Sequence, residues 1–318
     1  MISRVLRHCG GVDSKMRERL LKELNGSPVS VPDSCRVYAV FPDCPAYFWH
    51  PIRRAFSEAM DSYKIPFKSN VCTKVSDEET ILNYLDEADE AGVSAVVLAV
   101  SVTEKIRERI SDIRQNRLIL FLSGYSDIAN TFYCGSNVFL DGYEMGQYYR
   151  DHYPDRQLVL ISLPDDVNTS ARLDGFMKAL HDEPQGLSHE PETLNVPRKM
   201  LSNFKLLPSK LAPLLKKAAG EADRIAVYVP AGLHNMPLAV QKAGLQDRTV
   251  LLIHDPNPEQ VCPFEMASMR QDLSLQGKTA AELTAAFLQT GFFPDDKHTF
   301  IPSTADHIPG PNSSLELL

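Results

Sequence analysis

Short, almost wholly apolar runs recur along the chain at 36–41 (RVYAVF), 94–100 (SAVVLAV), 117–123 (RLILFLS), 157–162 (QLVLIS), 224–229 (RIAVYV) and 249–254 (TVLLIH). Runs this brief, with no polar alternation, predict strands covered on both faces of a parallel sheet. Between them, apolar residues fall at helical spacing over 51–62, 78–91, 103–115, 171–181 and 206–219, which predicts amphipathic helices. Strand and helix in alternation imply an α/β architecture of doubly wound sheets. Four of the runs precede Pro164 and the others follow it, with a turn-rich stretch at 182–197 inside the second half. Two Rossmann-like lobes therefore fit better than one large sheet. Ligands of such sheets bind beyond the carboxyl ends of the strands. The residues just after Phe41, Val100, Leu122, Ser162, Val229 and His254 are thus the first candidates for a site.

The two ends of the chain differ from this pattern. Residues 1–34 form a helical, basic segment that closes in the breaker-rich NGSPVSVPDS (25–34), a linker. The tail after Pro302 is polar, broken by Pro and Gly, and expected to be extended or frayed. Length and composition agree with the two-lobe reading: 318 residues at 43% hydrophobic content suit lobes of roughly 100–150 residues. No run approaches the roughly 18–20 apolar residues that span a bilayer, and the start MISRVLRHCGG lacks the apolar core of a signal peptide. A cytoplasmic protein with no membrane partner is the expectation. The six cysteines are scattered, with no C-x-x-C pair and no histidine at zinc-finger spacing. They read as reduced thiols, with no metal and no cofactor implied.

Net charge is −8, which speaks against wholesale coating of nucleic acid. Residues 1–24, however, carry +3 and leave −11 for the rest, a small basic head on an acidic body. The enzyme motifs fail one by one. Gln276-Gly277-Lys278-Thr279 ends like a phosphate-binding loop, but the required earlier glycine position holds Asp272. No G-x-G-x-x-G follows a strand and no G-x-S-x-G occurs, so dehydrogenase and hydrolase readings have no anchor.

Candidate binding residues come from the strand ends. Asp43, Tyr47, Phe48 and Trp49 follow the first strand; the rings either stack on the apolar face of a sugar or pack the helix onto the sheet. Ser101 and Ser123 follow the second and third runs. Arg172 opens a helix after QLVLIS and a polar loop. Its fork either grips two ligand hydroxyls or a carboxylate, or forms a surface ion pair with Asp174 or Asp165. Asp255 ends the last long run, either as an acceptor for sugar hydroxyls or as a structural cap before Pro256. His234 and His254 read as polar loop or strand-end residues.

Three stretches carry a family resemblance. Ile2-Ser3-Arg4-Val5-Leu6, Gly11-Val12-Asp13 and Arg17-Glu18-Arg19-Leu20-Leu21 resemble the second half of the helix-turn-helix of the lactose-repressor (LacI) family. Arg172-Leu173-Asp174-Gly175-Phe176-Met177-Lys178-Ala179-Leu180 resembles that family's R-x-x-G-F-x-x-A-L. Met269-Arg270-Gln271-Asp272 with Gln276-Gly277-Lys278-Thr279-Ala280 resembles its last crossover strand and following helix, and Asp141 with Gly146 fits the first passage between lobes. The resemblance implies a periplasmic-binding-protein type I-like effector domain over 35–318, with an N-lobe at about 35–139 and 268–295 and a C-lobe at about 140–267 and 296–318. It places Phe48, Trp49, Arg172, Asp255 and Gln271 in the ligand cleft. It puts Ser3 and Arg4 on the groove-facing side of a recognition helix, where arginine reads guanine. It implies a homodimer whose closure on a small polar effector is coupled to operator DNA.

The chain also departs from that family. It begins at Met1 inside the recognition helix, and NGSPVSVPDSCR holds no hinge-helix sequence. Ser123 stands where the family has Asp, and Pro230-Ala231-Gly232 where it has Asn-Asp, with Asn235 as a stand-in. The expectation is a ligand-responsive transcription regulator of LacI type, binding a sugar or polyol and without enzymatic activity. A cytoplasmic sugar-binding sensor that no longer binds DNA is the alternative. An enzyme on the same architecture is the third, and it lacks a base and nucleophile at any telling spacing.

Overall fold

The apolar runs become the central strands of two sheets. The computed structural model describes residues 37–113, 117–163, 166–182, 190–197, 200, 206–233, 235–259 and 261–308. The expected partial helix-turn-helix and linker, with Ser3 and Arg4, lie outside the described residues, as do Asp165 and His234.

In chain order the first unit holds β1 (Val37–Cys44), α1 (Ala46–Ser62), β2 (Phe67–Lys74), α2 (Glu78–Glu90), β3 (Ala95–Leu98), α3 (Glu104–Ile113), β4 (Leu118–Leu122) and β5 (Phe132–Gly135). The second holds α4 (Val138–His152), β6 (Gln157–Ser162), α5 (Val167–His181), β7 (Glu192–Asn195), α6 (Leu207–Ala219), β8 (Ile225–Val229), α7 (Met236–Ala243), β9 (Thr249–His254) and β10 (Met266–Gln271). The chain then returns to the first unit for α8 (Leu273–Thr290) and β11 (His298–Phe300), and to the second for β12 (Ser303–Ile308).

The two sheets repeat one order, β11-β5-β4-β3-β1-β2 and β12-β10-β9-β8-β6-β7. All neighbours are parallel except β12, which runs antiparallel to β10. β3, β4, β8 and β9 are buried along their whole length, the pattern that helices on both faces produce. The outer strands β2 and β7 are mostly exposed.

Some boundaries differ from expectation. Met266↔Leu251 through Met269↔His254 pair β10 with β9, so residues from 268 to Asp272 belong to the second unit, and the return to the first comes at Leu273. His298↔Tyr133 through Phe300↔Gly135 pair β11 with β5, which keeps the chain in the first unit as far as Ile301. Strand pairing, not the onset of the following helix, assigns these segments. The tail after Pro302 is a strand as far as Ile308, in register with β10. α1 begins at Ala46, ahead of Pro51, and so carries a proline within the helix rather than at its start.

Helix packing within each unit depends on small residues. α1 buries Trp49, Ile52, Phe56 and Met60 at helical spacing, and α8 meets it with Gly277, Ala280, Ala281 and Ala285. A Cβ at Gly277 would collide with the Ile52 carbonyl oxygen. In the second unit, α4 and α5 approach through Gly142, Gly146 and Gly175 in the same way.

Cys44, Cys72, Cys134 and Cys262 are free thiols. Burial raises the Cys72 thiol to about 11, helped by the charge of Asp77, and burial likewise raises Cys134 far above its ordinary value. Only a thiolate reacts readily, so iodoacetamide on the native chain is expected to modify exposed Cys44 and spare Cys72 and Cys134. Peptide mass mapping checks this; early label on Cys134 would contradict the packing described.

Candidate functional site

In the second unit three of the predicted residues come together beyond the strand ends. α5 starts with Asp166 as its cap, its side chain accepting from the Thr169 amide at 2.8 Å, and this sets Arg172 on the second turn. The Arg172 Nη2 donates to Asp255 Oδ2 at 2.9 Å and Nη1 to the Pro230 carbonyl at 3.0 Å. Gln271, at the end of β10, donates its amide to Asp255 Oδ1 at 3.0 Å and its side-chain Nε2 to Oδ2 at 2.7 Å. Asp255 thus sits in the left-handed region, with φ 49, a conformation Asp tolerates better than most residues. Arg172 is only 4% exposed. It forms a buried pair with Asp255, not a surface ion pair with Asp174, and its fork is engaged inside the protein. Asp255 acts as an acceptor of several bonds rather than as a helix cap.

Sequence reasoning did not assign binding roles to the rest of this cluster. The Asp141 carboxylate on α4 lies 3.7 Å from Arg172 Nη2. The Tyr228 hydroxyl on β8 donates to the Arg172 carbonyl at 3.3 Å and lies 3.1 Å from His254 Nε2. The Tyr228 ring stacks on Phe176 with centroids 3.9 Å apart. Asp141 looked like a passage point and His254 like a strand end because single polar residues inside apolar surroundings carry no periodic signal. The trace that pointed to them was glycine: Gly142 and Gly175 let α4 press against α5, and a Cβ at Gly142 would overlap the Arg172 carbonyl.

Burial and charge compete here. Desolvation opposes the charge on Arg172, but Asp255 and Asp141 together hold its pKa above the ordinary value. Burial raises the Asp141 carboxyl, with Arg172 opposing. Burial, aided by the Arg172 charge, holds His254 well below its ordinary 6.5. The folded chain therefore binds fewer protons at His254 than the unfolded chain does. That stability is present above the ordinary pKa and is lost as pH falls below it. His254→Gln is expected to flatten the fall in urea-unfolding free energy between about pH 7 and about pH 5. The opposite contribution of Asp141, largest at low pH, is common to both chains. An unaltered slope would mean that the imidazole is not held neutral.

The first unit offers its own strand-end groups. Asp43, at the exposed end of β1, pairs with His50 Nε2 at 2.9 Å. Trp49 is 6% exposed and belongs to the core with Ile52 and Phe56, so its ring mainly packs α1 onto the sheet. Phe48 is half-buried and meets Trp49 edge-on at 4.7 Å. Ser101 follows β3, its amide bonded to the Val75 carbonyl at 2.8 Å. Ser123 is buried at the end of β4 with φ 60. Because the two sheets share one order, β4 corresponds to β9 and Ser123 to Asp255. Both units thus place a left-handed polar residue at the same strand end, a local cost of the kind that marks functional sites. Asn235 precedes α7 and makes no cap bond through its side chain. Among the described residues no His, Cys, Asp and Glu group is arranged to hold a metal, and no helix is long and apolar enough to cross a membrane.

Solved structures share this fold. The glucose-galactose binding protein GanP from Geobacillus stearothermophilus is 14% identical with a TM-score of 0.69, over 86% of this chain and 96% of that one. A Caulobacter myo-inositol binding protein bound to myo-inositol is 16% identical with a TM-score of 0.67, over 89% and 96%. The fold is that of the type I periplasmic binding proteins. The same type I fold occurs in the transcription regulator CcpA of Lactococcus lactis, 15% identical with a TM-score of 0.64, over 86% and 97%. No family model matches the chain, and no curated protein does. In the terms of the type I fold, the Arg172 cluster lies where α/β sheets receive ligands.

Proposed function

We propose that the protein is a ligand-responsive regulator of LacI type that binds a neutral sugar or polyol and catalyses no reaction. The observation that carries this is the buried Arg172–Asp255–Gln271 cluster at the carboxyl ends of β9 and β10. A carboxylate held by an arginine and a glutamine offers fixed, oriented acceptors and donors, which suit the paired hydroxyls of a polyol. In this reading Asn235 adds a contact to the cluster within the second unit, and the strand-end residues Asp43, Phe48, Ser101 and Ser123 of the first unit are ligand contacts of that unit, with Trp49 backing Phe48 from the core. The sugar-binding proteins and the regulator that share the fold support the same class. Binding favours one conformational state by its differential affinity, and a cytoplasmic homodimer transmits that state to operator DNA through Ser3 and Arg4.

A second reading, a sugar sensor without DNA binding, is favoured by the linker NGSPVSVPDSCR, which has no hinge-helix sequence. One experiment separates the two. A thermal-shift screen of sugars and polyols is followed by mobility-shift titration of genomic promoter fragments, with and without the stabilising compound. The regulator predicts a hit that changes DNA retention; a hit with no retention at any protein concentration favours the sensor. If no sugar or polyol raises the melting temperature, both readings fail.

A further inference from the structure

Away from the Arg172 cluster, the first unit has an open pocket of about 680 Å³ between the outer face of α1 and the edge strand β2. It is lined by His50, Pro51, Arg53, Arg54 and Ser57 of α1 and by Ser69 and Val71 of β2, with Arg53 and Arg54 as its charged residues. Among the described residues no acidic side chain lines it, in a chain whose net charge is −8. We propose that this pocket is a second ligand site, taking the phosphate group of a phosphorylated small molecule.

Among the described residues the Arg53 guanidinium makes no hydrogen bond; its nearest carboxylate is Asp43 Oδ1 at 3.9 Å. Arg54 Nε stands 3.8 Å from Glu58 Oε1, again without a hydrogen bond. Exposed pairs at such distances are among the weakest ion pairs. Two planar forks with five N–H groups each match the oxygens of a tetrahedral dianion, which accepts short, charge-assisted, bidentate bonds. Ser57 and Ser69 add neutral hydroxyl donors, and His50, steadied by Asp43, adds an imidazole nitrogen. A carboxylate has fewer acceptor positions than this set supplies. The volume exceeds that of a bare phosphate ion and falls within the range of small-molecule sites, and the exposed Val71 offers an apolar contact for the organic part.

None of the pocket's lining residues is a proposed sugar contact, though its His50 bonds to Asp43, and the test keeps the two apart. Inorganic phosphate is titrated into the full chain by calorimetry at constant ionic strength, with chloride as the control anion. Saturable binding at about millimolar strength is expected for phosphate and not for chloride. The Arg53→Gln/Arg54→Gln double variant is expected to weaken it about tenfold or more, with thermal unfolding and sugar response unaltered. Arg172→Ala is expected to leave phosphate binding intact in whatever fraction remains folded. Equal binding of chloride, or undiminished phosphate binding in the double variant, overturns the proposal. So does a change of sedimentation mass in the double variant with no phosphate binding in either chain, which would make this face a subunit contact.

Discussion

Replacing Arg172 by alanine is expected to abolish stabilisation by a bound sugar and to cost the fold about 3–5 kcal/mol. Both effects have one cause. The guanidinium compensates Asp255 and Asp141, two carboxylates that are 9% and 4% exposed. Its removal leaves them facing each other without a counter-charge, so their desolvation is no longer offset. Asp255 also loses the bond that, with the two from Gln271, fixes its orientation. Urea unfolding reads the first effect and thermal shift in saturating sugar reads the second, where a wild-type chain at a hundred times its dissociation constant gains about 2.7 kcal/mol. Gln271→Ala separates them: half-buried and uncharged, it is expected to cost the fold little while weakening the sugar. A full ligand response in Arg172→Ala would remove the cluster from the site.

Gly175→Ala is expected to destabilise by about 3 kcal/mol or more, although helix propensity alone favours alanine by about 1 kcal/mol. The steric term wins because the contact is backbone on backbone. A Cβ at Gly175 would overlap the Phe139 carbonyl oxygen and lie 2.9 Å from the Tyr143 amide nitrogen, and neither atom can rotate away. Separating α5 from α4 to make room would also draw Arg172 from Asp141. Urea unfolding measures the cost, and a variant as stable as the parent would show that the helices are not so close.

These two residues illustrate what the sequence discloses and what it conceals. The strand runs at 94–100, 117–123, 224–229 and 249–254 were legible because β3, β4, β8 and β9 lie inside their sheets, where both faces demand apolar side chains. β2, β7, β11 and β12 were not, because each is an outermost strand. Lys68, Ser69 and Thr73 in β2, or Glu192 and Thr193 in β7, satisfy a strand that has one neighbour and a wet face, and they read as loop. The same logic governs the site. Arg172, Asp255 and Gln271 stand at strand or helix ends, where topology says to look. Asp141, on the first turn of α4, follows no long apolar run and Tyr228 lies inside β8, so only three-dimensional packing brings them to the guanidinium. Trp49 was legible as an aromatic near a strand end; that its ring is spent on the core depends on how α1 lies against β1, which no spacing reveals.

The chain's threefold passage between its units has a consequence for how the protein is made. Vectorial synthesis delivers the first sheet almost complete by Gly135, yet the apolar surface that covers α1 and β4 arrives only with Ala280, Ala281, Ala285 and Phe287 of α8. Until the ribosome has passed residue 290, the early half of the chain waits with one face uncovered, and a chaperone that screens exposed apolar surface has its target there. The later-made half meets no such delay before β12. For a nascent chain, then, the unit encoded first is the one that finishes late, and premature termination anywhere before α8 releases a fragment that cannot close its core.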